Sequence, residues 1–171
     1  MTGAEPTGAE PAGAEPTDAG PAGAEPTDAG PAGAGPTDAE QVEAVNAAMY
    51  EAFEAADVDR MRGVWDDVDP TAVVCVHPGW PMLRGREQVL RSWSAVMAGT
   101  DYIQFFLTDV HVSVLGDTAV VTCTENVLTE VTEAAHGGTS VVATNVLVRR
   151  ADGWRVQVHH GSPVLGRLVD G

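Results

Sequence analysis

From Val42 onward, apolar side chains recur at spacings of three and four. Val42, Val45, Met49, Phe53 and Ala56 form one stripe while Glu40, Glu43, Glu51 and Glu54 stay largely off it, a pattern that predicts an amphipathic helix. Its start is marked twice, because Thr37 and Asp38 each offer a cap with Glu40 or Gln41 three residues on. A shorter helix is expected from Asp59 to about Trp65, turning Met61, Val64 and Trp65 inward and stopped by Asp66, Asp67, Asp69 and Pro70. Ala72 to Val76 reads as a short buried strand, which Pro78, Gly79 and Pro81 break into a loop carrying His77 and Trp80. A third helix opens at Gly85, presents Val89, Leu90, Trp93, Val96 and Met97 on one face, and closes at Gly99.

Beyond Thr100 the period shortens from helical to extended. Tyr102 to Leu115, Thr118 to Glu130, Thr139 to Arg150 and Trp154 to Gly161 are rich in valine, threonine and aromatics, and are expected to form four strands. Gly116-Asp117, His136-Gly137-Gly138 and Asp152-Gly153 carry turn signals, so sequence neighbours should pair antiparallel. Helices first and a meander afterwards make an α+β fold: a twisted, cone-shaped antiparallel sheet wrapped around the N-terminal helices.

The segment before this pattern has no period that can be buried. Up to Ala39 the chain repeats in fives, with prolines at 6, 11, 16, 21, 26, 31 and 36, glycines between them and, Met1 and the proline rings aside, no apolar side chain larger than alanine to bury. Each proline removes an amide donor and restricts its predecessor, so residues 1–39 are expected to be a disordered, self-repelling leader and residues 40–171 the folded domain. All nine aromatic residues lie in the latter.

Charge removes whole classes of partner. Twenty-five acids against nine arginines, with no lysine, give a formal net charge of −16, which repels nucleic-acid backbones and anionic membranes. No apolar run approaches the roughly 20 residues of a membrane span, and the first basic residue is Arg60, so a cytoplasmic protein is expected. Cys75 and Cys123, without C-x-x-C spacing, read as buried reduced thiols.

The order of elements and several local strings resemble the SnoaL-like group of the nuclear-transport-factor-2-like superfamily. Leu83-Arg84-Gly85-Arg86-Glu87 looks like the strand-to-helix motif of that group. Asp152-Gly153-Trp154-Arg155-Val156, followed by His159-His160-Gly161-Ser162-Pro163, looks like its last strand. The similarity runs from Glu40 to Val164 and implies a cystatin-like roll, a curved sheet around a long helix enclosing a pocket. The family holds isomerases, cyclases, epoxide hydrolases and non-catalytic domains, so it implies no single reaction.

Candidate chemistry follows from strand alternation. Counting from Trp154 places Val156, Val158 and His160 on its apolar face, where a partly desolvated imidazole could move a proton near neutral pH. Glu125 sits in the row Ala119, Val121, Cys123, Glu125, Val127, where a carboxylate is costly unless paired or neutral. His160 and Glu125 are therefore the catalytic candidates, each with a plain hydrogen-bonded core role as its competitor. Asn126 and Asn145 are strand amides able to steady an oxyanion or to bridge strands, and one of them is expected in the pocket.

Tyr50, Trp65, His77, Trp80, Trp93 and, from the last-strand string, Ser162 complete the binding candidates, with flat aromatic walls favouring flat apolar ligands. His111 and His136 fall on an alternating strand and in a glycine hairpin, and no histidine pair has ligand spacing, so neither metal nor cofactor is expected. The expectation is a dimeric protein that binds a small apolar metabolite. If it is an enzyme, cofactor-free proton transfer on a hydrophobic carbonyl compound is the expected chemistry; the competing reading is a non-catalytic association or ligand-sensing module. Dimerisation would use the outer sheet face, assigned to Gln104, Thr108, Arg155, Gln157 and His159.

Overall fold

The computed structural model describes residues 35–132 and 135–165, so the expectation for the leader lies almost wholly outside the described residues. Helix α1 (Asp38–Glu54) starts two residues before the expected domain boundary. Of the two possible caps, Thr37 is used: its hydroxyl accepts from the Glu40 amide while the Glu40 carboxylate accepts from the Thr37 amide at 2.7 Å. Helix α2 (Val58–Val64) is capped by Asp57. Short strands β1 (Val74–Val76) and β2 (Leu83–Arg84) precede α3 (Arg86–Ala98), and then come the long strands β3 (Ile103–Leu115), β4 (Thr118–Thr132), β5 (Ala135–Arg150) and β6 (Gly153–Pro163).

The sheet has six strands in the order β2-β1-β6-β5-β4-β3, one more than the five expected, and it is curved and unclosed. β3 to β6 form the expected antiparallel meander, whereas β1 joins β6 in parallel and β2 pairs with β1. A two-residue strand such as Leu83–Arg84 has too few positions to show a period. The glycine pair expected to turn the β4–β5 hairpin is instead inside β5: Gly138 faces Leu128, Gly137 faces Thr129, and pairing continues to Thr132 and Ala135.

The concave face packs on the helices. Met49, Ala52 and Phe53 of α1, Met61 and Val64 of α2, and Val89, Trp93 and Met97 of α3 meet Ala119, Val121, Leu147, Trp154 and Val156 from the strands. Asp66, fully buried after α2, is paired with Arg150 and accepts from the Val68 and Asp69 amides, which ties the α2 end to the sheet. No helix among the described residues is long and apolar enough to cross a membrane.

One irregularity decides which way the last strand points. Leu147 pairs with Val156 and Val146 with Val158, leaving Gln157 as an extra residue in β6. Such a bulge resets alternation. Trp154 and Val156 are buried as expected, but beyond Gln157 the inward residue is His159, 2 % exposed, and His160 is exposed. The inward placement of His160 is thereby corrected, and His159 is removed from the outer face assigned to it.

Candidate functional site

Where α1, α3 and the ends of β4–β6 diverge, they leave a cavity of about 310 Å³. Tyr50, Phe53, Trp93 and Phe105 form its aromatic wall, with Tyr50–Phe105, Phe53–Trp93 and Phe53–Phe105 ring centroids 5.1, 5.3 and 5.4 Å apart. Tilted and edge-on packing of this kind makes a firm apolar surface. Trp80, about half exposed, stands at the mouth with Pro78, its ring 5.2 Å from that of His77.

Besides the Tyr50 phenol, three ionisable side chains line this apolar space: His77, Glu125 and His159. Glu125 enters from β4 through the plain alternation of Ala119, Val121 and Cys123, and is 4 % exposed. Burial pushes its carboxyl up to about 7, against the opposing pull of the Tyr50 hydroxyl, which donates to Oε1 at 2.8 Å. The same hydroxyl accepts from Asn145 Nδ2 at 3.2 Å, and burial raises the Tyr50 phenol far above its usual range, so it serves as a neutral donor.

Asn145 is the junction of the network. Its amide also donates to Asn46 Oδ1 at 2.7 Å, so its own Oδ1, 2.7 Å from His159 Nδ1, accepts the imidazole N–H. This assigns the proton to Nδ1 and leaves Nε2 of His159 as a lone pair. Burial, with the neighbouring His77 and His160 adding to it, brings His159 down to about 3. His77 is built in a parallel way. Ser92 donates to the Val89 carbonyl at 2.7 Å, so its hydroxyl oxygen accepts from His77 Nε2 at 2.9 Å and leaves Nδ1 as the lone pair. Burial brings His77 down to about 4. The two rings lie 6.5 Å apart, both uncharged at neutral pH.

The arrangement therefore offers two imidazole acceptors, one carboxyl that titrates near neutrality, and apolar walls. The indole N–H of Trp93 is buried without a protein partner and is not exposed to the cavity. The chemistry available is hydrogen bonding to an uncharged ligand and proton exchange with it. No three His, Cys, Asp or Glu residues among those described converge as a metal site.

Of the sequence candidates, Tyr50, His77, Trp80, Trp93 and Glu125 come together around the cavity. Asn145 stands behind them, fully buried, orienting Tyr50 and His159. Four others are corrected. His160 is exposed because of the Gln157 bulge. Trp65 is solid core, its ring 6.5 Å from that of Trp93 and its N–H on Met61 Sδ. Asn126 points to the outer face, donating to the Phe106 carbonyl and the Thr108 hydroxyl, since it alternates with Glu125. Ser162 is exposed opposite Val142 on that face.

His159, Asn46, Ser92, Phe53 and Phe105 were missed as site residues. Asn46 had a readable signal: four residues after Val42 and four before Tyr50, it is a polar residue on a helix's buried stripe. Ser92, beside Trp93 on α3, is the same kind of signal. Phe53 and Phe105 read only as core, and His159 had no local signal because the bulge has none.

The SnoaL-like domain model matches residues 42–166. A structure from Streptomyces avermitilis, provisionally named a dehydratase of the NTF2-like family, is 52 % identical, covers 75 % of this chain and 97 % of its own, and superposes with a TM-score of 0.70. A provisionally named calcium/calmodulin-dependent protein kinase type II association domain from Thiobacillus denitrificans is 34 % identical over 72 % and 94 % of the two chains, at 0.64. The hub of that kinase from S. rosetta is 25 % identical over 77 % and 99 %, at 0.61. No curated protein sequence matches.

Proposed function

Because the chain belongs to the SnoaL-like family, we propose that its cavity binds a small, uncharged, largely apolar carbonyl compound and transfers a proton on it without a cofactor. The observation that carries this is Glu125: a carboxyl titrating near 7 inside an aromatic cavity, with its geometry fixed by Tyr50. A proton acceptor works best when its pKa matches the working pH. His159 and His77, with values near 3 and 4, are weak bases and better suited to accepting hydrogen bonds from ligand hydroxyls. Among the described residues no arginine lines the cavity, which disfavours a carboxylate-bearing ligand. The 52 % identical relative's provisional name, dehydratase, is a reaction of this proton-moving class.

The test has two stages. Thermal melting against a panel of hydrophobic carbonyl compounds should find ligands that stabilise the fold. Deuterium exchange next to their carbonyl, followed by NMR, should then be fast with the unaltered chain and fall about 100-fold or more in Glu125→Gln. Binding with no exchange above solvent rate would leave a binder and remove the enzyme.

A second reading, homotypic association, is favoured by a different surface. Phe106 and Val142 on the outer sheet face are each about half exposed, and two of the relatives are named as association or hub domains. Gln104, Thr108, Arg155 and Gln157 remain candidates for this face. Sedimentation equilibrium of the full chain and of Phe106→Glu decides it: a dimer that dissociates in the variant supports the interface, and a monomer throughout removes it.

A further inference from the structure

In a chain of net charge −16, arginines should find carboxylates easily. Among the described residues Arg60, Arg91, Arg149, Arg150 and Arg155 do so, with Glu51, Glu87, Asp38, Asp66 and Asp152. Arg62, Arg84 and Arg86 have no carboxylate partner, and they are not scattered. Arg62, Arg86 and Arg91 line an open cleft of about 580 Å³ beside Pro70 and Leu90, and Arg84, Arg86 and Arg91 line an adjoining one of about 350 Å³. Glu87 is the one carboxylate lining either, and Arg91 holds it at 2.9 Å. Four guanidiniums against one carboxylate leave a local excess of positive charge on an acidic molecule.

Two further features ask for an acceptor. Arg86 donates one terminal N–H to the Arg62 carbonyl at 2.7 Å, and its Nε is shielded from solvent, so the other terminal nitrogen is the one left to meet an acceptor in the cleft. Arg86 also opens α3, a helix of 13 residues whose N-cap, Gly85, offers no side chain to the first-turn amides. Both features sit on the same wall of the cleft.

We propose that this cleft binds a small phosphate-bearing anion, at a site separate from the aromatic cavity. A dianion matches the excess charge better than a monocarboxylate does, and guanidinium forks suit phosphate oxygens. The linings of the two sites share no residue of α3: Trp93 and Val96 line the cavity, Leu90 and Ser94 the cleft. The anion therefore need not touch the ligand of the cavity, and this site stands or falls independently of the proton-transfer reading.

The experiment is thermal melting of the full chain in sodium phosphate, sodium succinate and sodium chloride at equal ionic strength. Phosphate at about ten times its dissociation constant should raise Tm by roughly 3–5 °C over chloride. Arg86→Gln and Arg62→Gln should each abolish that increment, and Arg155→Gln, on β6, should keep it. Should Arg86→Gln unfold, Arg62→Gln gives the same readout, because its contact to Arg86 is through the backbone carbonyl. Equal melting in phosphate and chloride overturns the proposal, as does a phosphate increment that survives both variants. A succinate increment as large as that of phosphate overturns the choice of phosphate.

Discussion

The concave face of one sheet meets the helices in two ways. Toward the β3–β4 and β5–β6 turns it is filled: Ala119 and Val121 of β4, Leu147 of β5, and Trp154 and Val156 of β6 pack against Val42, Met61 and Trp65, with the Asp66–Arg150 pair at the end of α2. Toward the other ends of the same strands it stays open, and the inward positions become Glu125, Asn145 and His159, facing Asn46 and Tyr50 of α1. The boundary falls at Asn145 on β5 and at the Gln157 bulge on β6. Burial alone does not explain the change, since both halves are equally shielded. The open half spends buried positions on polar groups, which lowers stability unless every one is partnered. Its members are partnered, through one connected network, which supports the proposal that this is the working half.

Trp65→Ala gives the largest expected effect. This side chain is wholly enclosed in the filled half, so truncation should cost about 3–5 kcal/mol in denaturant unfolding and leave ligand affinity of the folded fraction unchanged. Phe105→Ala in the open half, where the ring is partly exposed and borders empty space, should cost half of that or less while weakening ligand binding. Similar losses from both would dissolve the distinction.

Glu125→Gln should change the pH dependence of stability by about 4 kcal/mol. The folded carboxyl titrates near 7, above its unfolded value, so as pH rises the unfolded chain releases its proton first and ionisation favours unfolding. The penalty is absent below about pH 4.3, the unfolded glutamate value, and complete above 7; at about 1.4 kcal/mol per unit it reaches the figure given. Glutamine keeps an oxygen for Tyr50 and cannot ionise. The variant should therefore match the parent at pH 4 and exceed it at pH 8. His77 and His159 act with the opposite sign: their neutral burial stabilises fully above about pH 6.5 and is lost as pH falls through 4 and 3. Parallel pH–stability curves for parent and variant would mean that Glu125 is ionised in the fold.

Gly161→Ala should cost about 1–3 kcal/mol, because an added Cβ would stand 3.1 Å from both Pro78 Cγ and Val141 Cγ1 at the cavity rim. If it costs nothing, the rim is looser than this spacing, and the contrast between packed and open halves begins further out.

What could be read in advance follows the same divide. The filled half announced itself: Val42 and Met49 at helical spacing, and Ala119 and Val121 at strand spacing, each carry their own period. Glu125 was legible for the same reason, as a carboxylate on an uninterrupted apolar row. The rest of the open half depends on facts outside any local window. The Gln157 bulge forms where β6 must meet Leu147 on one side while Trp65 bridges to Val156 on the other, and neither neighbour is near it in sequence. Gly137-Gly138 carries a turn signal that cross-strand pairing overrides, and β1 pairs with β6 from about 80 residues away. Asn126 was misplaced only because two adjacent strand amides were weighed without fixing the face of either.

His160→Ala gives the smallest expected effect and the sharpest reading of the register. Plain alternation puts this imidazole in the cavity, where its loss would cost binding and exchange; the bulge puts it outside, with no hydrogen bond, where truncation should change stability by less than about 0.5 kcal/mol. His159→Ala makes the matched comparison, since it strips Asn145 of a buried partner and the cavity of an acceptor, and should cost about 1–3 kcal/mol together with ligand affinity. Measured side by side, the two alanine variants differ by one position in sequence and one face of the sheet. A costly His160→Ala with a silent His159→Ala would restore uninterrupted alternation and move the network's imidazole to the other residue.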